Sequence, residues 1–148
     1  MKYDLIIDSR PSEVVIALLR NGLLIEIHKE KHDNNYSAGD IYLGRVRNTN
    51  PGLNASFVNV GYEKDGFLHY LDLGPQFNSY KKFTNQAINK KLNTASLKNF
   101  KKASKLNKDG LINETLNAGD LILTQISKEP ISTKGPRLTT EISIAGRY

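Results

Sequence analysis

The stretch Ile41–Asp72, IYLGRVRNTNPGLNASFVNVGYEKDGFLHYLD, decides the fold. Along Leu53–Val60 the side chains of a strand alternate between two faces. Ser56, Val58 and Val60 share one face; Leu53, Ala55, Phe57 and Asn59 share the other. Val58 and Val60 read as core, which leaves Phe57 beside Asn59 on a polar face. After the turn-rich Gly61–Asp65 the next strand repeats the pattern, with Leu68 and Tyr70 on one side and Phe67 and His69 on the other. Arg45 and Arg47 share one parity on the strand before. Aromatics flanked by Arg and His on a solvated sheet make a stacking platform for unpaired bases, worth roughly 1–3 kcal/mol per stacked base. The reverse parity would bury both Phe side chains. Two strands that agree, with the arginines in phase, favour the platform.

Outward from this stretch the chain is mainly β. Three strands, about Asp40–Asn48, Leu53–Val60 and Gly66–Tyr70, are joined by turns at Asn50-Pro51-Gly52 and Gly61–Asp65. Two more, about Asp120–Ser127 and Arg137–Ile144, flank Pro130–Gly135. Five strands split three and two, with a helix-capable segment after the third, match the order of a five-stranded oligonucleotide-binding barrel. Ahead of it, Tyr3–Ile7 is a short strand. Val14–Arg20 and Leu23–Lys29 flank Asn21-Gly22, a strong hairpin signal because both residues tolerate φ > 0 in a type I′ turn. That turn sets Leu18 opposite Ile25 and Ile16 opposite Ile27, an aliphatic face; the other face, with Ala17 opposite Glu26 and Val15 opposite His28, is mixed. The expected division is residues 1–36 as an N-terminal hairpin subdomain and 37–148 as the barrel, with an insertion at about 75–115.

The charge is unevenly placed. Pro75–Lys108 carries nine lysines and no Asp or Glu, whereas the rest of the chain has twelve basic and fifteen acidic residues. This asymmetry points to a polyanionic partner. A solvated, Asn-rich loop that only aids solubility explains the same composition. Within the insertion Ser79–Ala87 and Ser96–Leu106 are helix-capable. In the second, Leu97, Phe100, Ala103 and Leu106 form a drifting apolar stripe suited to core packing.

At 148 residues the chain is long enough for one domain with a core and an appendage. It has no cysteine, which excludes disulfides and thiolate metal sites and fits a reducing cytoplasm. No apolar run is long enough to span a membrane, and acidic residues come too early for a secretory signal. His28, His32 and His69 are scattered, with no pair at metal-ligand spacing. Asp4 and Asp8, or Asp65 and Asp72, are conceivable Mg²⁺ pairs, but solvated or turn-forming carboxylates account for them more simply. No GxxxxGK phosphate loop is present. No catalytic residue and no metal ligand is assigned.

GRVRNTNPGLNASFVNVGYEKDGFLHYLDL resembles an S1-type RNA-binding barrel, with GFLH its most recognisable element. IYLGRVRNTNPGLNASFVNVG resembles the opening of the ribonuclease E/G family. KEPISTKGPRLTTEISIAGRY resembles the segment that closes that family's S1 barrel, and LIID…EVVIALLRNGLLIEIHKE fits its opening hairpin. The resemblance covers about Met1–Gly74 and Leu116–Tyr148. It implies that Phe57 and Phe67 match base-stacking aromatics, that Lys134 in the TKG turn matches an RNA-contacting basic residue, and that His69 matches a histidine of S1 binding faces. Arg45, Arg47 and Arg137 join this set from charge and strand parity. The plainer alternatives for His69 and Lys134 are an ordinary surface histidine and an ordinary turn lysine.

The resemblance further implies single-stranded RNA as partner. It places the chain as the N-terminal part of a longer, cytoplasmic endoribonuclease of RNA processing and decay. In the family, later sequence supplies a sensor of 5′-monophosphate ends and paired aspartates that bind Mg²⁺. Nothing here matches those parts or the family's zinc-holding cysteine pair. A homo-oligomeric full-length protein, with Mg²⁺ as its cofactor, is a further implication. A stand-alone S1-type module or RNA chaperone without hydrolase activity is the alternative, against which the N-terminal aliphatic hairpin argues. A scaffold whose barrel face meets protein is the third reading.

Overall fold

The computed structural model describes residues 2–31, 36–91, 97–98, 100–144 and 146. His32 and part of the second expected helix lie outside them. The chain divides into two compact units, Met1–Asn35 and Tyr36–Tyr148.

In the first unit β1 (Tyr3–Ser9), β2 (Glu13–Arg20) and β3 (Leu23–Lys31) form an antiparallel sheet in the order β1-β2-β3. Asn21 and Gly22, at φ 51° and 80°, make the expected turn and set Arg20 opposite Leu23 and Leu19 opposite Leu24. The register then changes. A bulge between Leu18 and Leu19 places Leu18 opposite Glu26, Ala17 opposite Ile27 and Ile16 opposite His28. The expected aliphatic face of Leu18 with Ile25 and Ile16 with Ile27 therefore does not form. One extra residue on a strand inverts the parity of everything beyond it, a change that composition does not reveal. Nor is this a bare hairpin, because β1 pairs along β2 from Tyr3↔Arg20 to Ser9↔Val14.

The second unit is a closed barrel of β4 (Ile41–Asn50), β5 (Ala55–Asn59), β6 (Gly66–His69), β8 (Arg137–Thr139) and β7 (Leu121–Lys128), in that order. The expected five-stranded barrel is thus present. Antiparallel ladders join all neighbours except β6 and β8, which meet in parallel at Phe67↔Arg137. Val46, Val58, Leu68, Ile122, Ile126 and Leu138 are buried core residues contributed by all five strands. Leu73, Phe77, Ile112 and Leu116, from the segment between β6 and β7, pack into the same cluster. Tyr36 stacks on Tyr42 (centroids 5.2 Å apart, 9° between planes) and meets Tyr62 edge-on. Burial pushes the Tyr42 phenol above its ordinary pKa, while the hydrogen bond it accepts from the Tyr36 N–H pulls the other way.

Two strand ends fall short of expectation. β5 begins at Ala55 because Pro51–Leu53 forms a 3₁₀ turn capped by the Asn50 side chain, and Asn54 adopts a left-handed conformation. β8 stops at Thr139, not Ile144. Thr140 turns inward, fully buried, its hydroxyl donating to Leu73 O. Beyond it Ser143 is held by the Gln125 side chain and not by a ladder.

The insertion keeps one of its two expected helices. α1 (Phe77–Ile88) covers the expected Ser79–Ala87. The described part of Ser96–Leu106 is not helical. Lys98, Lys101, Lys102 and Lys105 would sit three and four residues apart on one helix face, where like charges repel. Two hydrogen bonds tie this stretch to the rest of the unit, Ala103 N–H donating to Ser79 Oγ (3.0 Å) and Leu106 N–H to Pro75 O (3.0 Å). Phe100 leaves the expected stripe to meet Phe83 edge-on at 5.8 Å. Sequence pattern also gave no sign of α2 (Ile112–Thr115), a single turn whose Ile112 is completely buried.

Candidate nucleic-acid interface

Ser56, Val58 and Leu68 are completely buried, so Phe57 and Phe67 must project to the opposite, outer side of their strands. They lie directly opposite one another across β5 and β6. Their rings meet edge-on, centroids 5.9 Å apart at 70°, and both are only half-buried. Edge-to-face packing fixes the two rings against each other and leaves aromatic surface open to a further ring.

Around this pair the other expected residues divide. Arg45 is exposed opposite Asn59, and Asn48 stands opposite Phe57. The ladder is irregular between Val46 and Asn48, so Arg47 falls at a bulge, with Nε 3.8 Å from Asp65 Oδ1. Arg137, the parallel neighbour of Phe67, donates to Asp72 Oδ2 through Nη2 (3.0 Å) and Nε (3.3 Å). Two of the three arginines thus carry a carboxylate partner that charge and parity did not anticipate. Partly exposed pairs of this kind are worth about 0–1 kcal/mol, so a phosphate can compete for either guanidinium.

His69 follows Phe67 on the same strand face. Its Nδ1 accepts the Leu71 N–H at 3.2 Å and caps the 3₁₀ turn Tyr70–Leu73, so Nε2 is the ring nitrogen left to donate. Lys134 is exposed on a tight turn closed by its N–H to Ile131 O (3.0 Å). That turn docks on the β5–β6 connection through Gly135, where an added Cβ would collide with Asp65 O. Only glycine permits this approach. Phe67 N–H in turn donates to Pro136 O at 2.8 Å. The loop bearing Lys134 and the strand bearing Phe67 are therefore bound together through their backbones.

The carboxylates weighed as Mg²⁺ pairs all have cationic partners: Asp4 with Lys2, Asp8 with Arg10, Asp65 with Arg47 and Asp72 with Arg137. Among the described residues no three His, Asp or Glu side chains gather as a metal-binding group. No helix among them is long and apolar enough to cross a membrane.

Two insertion lysines turn inward. Lys81 Nζ lies 2.6 Å from Asp120 Oδ2 and also donates to Thr115 O, with the two charged side chains only 23% and 25% exposed. Lys82 donates to Lys101 O and sits 5.5 Å from the Phe100 ring centre. Lys81→Ala is expected to cost about 1–3 kcal/mol of stability, since it strands Asp120 without its partner. The same variant should leave the salt dependence of RNA binding unchanged. Urea unfolding and binding titrations at several salt concentrations check both.

No protein-family model matches the chain. It is 32% identical over its whole length to ribonuclease G of Salmonella typhimurium. To ribonuclease G of Haemophilus influenzae it is 34% identical over 98% of its length. To ribonuclease E of Nostoc it is 39% identical over 76% of its length. The chain spans 26% of each of these ribonuclease G relatives and 13% of that ribonuclease E.

Proposed function

Because this chain belongs to the ribonuclease E/G family, we propose that its barrel is an S1-type module that holds single-stranded RNA for a ribonuclease. The observation that carries this reading is the half-buried Phe57–Phe67 pair on the outer face of a closed five-stranded barrel. Two bases of an unpaired strand stack on these rings. His69 supplies an N–H donor beside them. Arg45, Lys134, Arg47 and Arg137 supply cationic charge for the backbone, the last two by exchanging Asp65 and Asp72 for phosphate. The full-length protein is, on this reading, a cytoplasmic, homo-oligomeric endoribonuclease of RNA processing and decay. Its Mg²⁺ finds no ligand set among the described residues of this chain.

The binding half is tested by titrating a labelled unstructured oligonucleotide with the chain: saturable binding that weakens with salt is expected, and its absence overturns the reading. The chain alone should not cleave. Nothing among its described residues is placed to activate a water or to stabilise a leaving oxygen through a metal. Labelled RNA incubated with the purified chain and Mg²⁺ should remain at buffer level, and metal-dependent cleavage that survives rigorous purification would contradict this.

A further inference from the structure

The 3₁₀ turn capped by His69 forms one wall of a cavity of ≈ 660 Å³, within the range of small-ligand pockets. Tyr70, Leu71 and Pro75 contribute its apolar lining; Lys105, Lys108 and Glu141 contribute its charge. Leu71 is 68% exposed, a large apolar side chain left open to solvent. The backbone that bears the two lysines is pinned at three points. Leu106 N–H donates to Pro75 O at 3.0 Å, the Tyr70 hydroxyl donates to Asn107 O at 2.6 Å, and the Asn54 amide donates to Gly110 O at 3.2 Å. Neither lysine is ion-paired among the described residues, unlike Lys81. Two lysines without an ion-pair partner, on backbone held in place beside the cavity, offer it positive charge.

The charge is not all of one sign, and this narrows the ligand. A simple anion would gain nothing from Glu141. A nucleotide uses all the parts: its phosphate meets the lysines, its base lies against Leu71 and Pro75, and its N–H edge donates to the carboxylate. Guanine presents two adjacent N–H donors, at N1 and N2, and so matches both oxygens of one carboxylate. Adenine and cytosine offer only an amino group on that edge, and uracil a single imide N–H. We propose that this cavity receives a guanosine of the RNA strand, next to the bases stacked on Phe57 and Phe67. The inference rests on that stacking reading and adds a specificity site to it. A strand that leaves Phe67 and passes His69 meets the cavity next, because His69 and Leu71 are joined by the capping hydrogen bond.

The test uses the full chain, with anisotropy measured on oligouridine 12-mers and on the same 12-mers carrying guanosine at every third position. Wild type should prefer the guanosine-bearing strand, and Glu141→Gln should reduce that preference by about fivefold or more, as removal of a two-bond base interaction would. Lys105→Ala/Lys108→Ala should weaken both strands and flatten the slope of log K against log salt by about 0.7 for each phosphate no longer bound. All three side chains are exposed, so the variants should keep their melting temperatures. Equal affinity of wild type for the two strands overturns the guanine assignment. An unchanged salt slope in the double lysine variant, while Phe57→Ala still weakens binding, overturns the cavity site alone. Wild-type affinity in Phe57→Ala instead removes the stacking reading beneath it.

Discussion

Phe57→Ala and Phe67→Ala should each weaken binding of an unstructured RNA oligonucleotide by roughly 1–3 kcal/mol, about 5- to 150-fold. Each ring offers open aromatic surface on the outer face, and each substitution removes one stacking partner. The two rings touch, so the double variant should lose less than the sum of the single losses. Stability should fall only modestly, because the edge-to-face pair itself contributes about 0.5–1.5 kcal/mol beyond its buried area. Fluorescence anisotropy beside a circular-dichroism melt separates the two effects. Wild-type affinity in two well-folded variants would remove the platform.

One position along the chain, the same kind of substitution should do the reverse. Leu68 is completely buried, flanked by Phe67 and His69, which face outward. Leu68→Ala leaves a cavity in the barrel centre, where residues of all five strands close the core and little can collapse into the gap. A loss of about 2–5 kcal/mol is expected, a large share of the stability of a small domain. Denaturant unfolding checks it. Where the variant is still folded, its RNA affinity should be near wild type, because the outer rings keep their strand and their register. A variant as stable as wild type would mean that the assignment of faces on β6 is wrong.

The faces were legible in the sequence because period-2 alternation on two consecutive strands gave the same answer independently. Val58 with Leu68, and Phe57 with Phe67, separate by burial as the pattern required. The five-stranded order was legible from turn chemistry at Pro51-Gly52 and Gly61 and from the spacing of the strands. What escaped had non-local causes. The β2–β3 bulge depends on where one extra residue is absorbed, and neither Ile25 nor Leu18 announces it. Over its described residues the second insertion helix is absent: like-charged lysines would crowd one face of it, and the Ala103 and Leu106 N–H groups bond to Ser79 and Pro75 instead. Its apolar spacing alone carried no trace of that competition. The placement of the candidate residues was legible for the aromatics and less so for the charged side chains. Arg47 and Arg137 stood out, but their pairing with Asp65, in the β5–β6 connection, and Asp72, in the 3₁₀ turn after β6, depends on tertiary placement. His69 was read as a face residue. Its service as a turn cap left no signal, because the usual capping side chains are Ser, Thr, Asp and Asn and not an imidazole.

The most direct measurement is a ¹⁵N–¹H spectrum of the chain titrated with an unstructured RNA oligonucleotide. Amide perturbations should concentrate at Phe57, Phe67, His69 and the 131–137 turn, with the strands of residues 3–31 unmoved. Saturable binding whose perturbations avoid β5 and β6 would contradict the assignment of this barrel face to RNA.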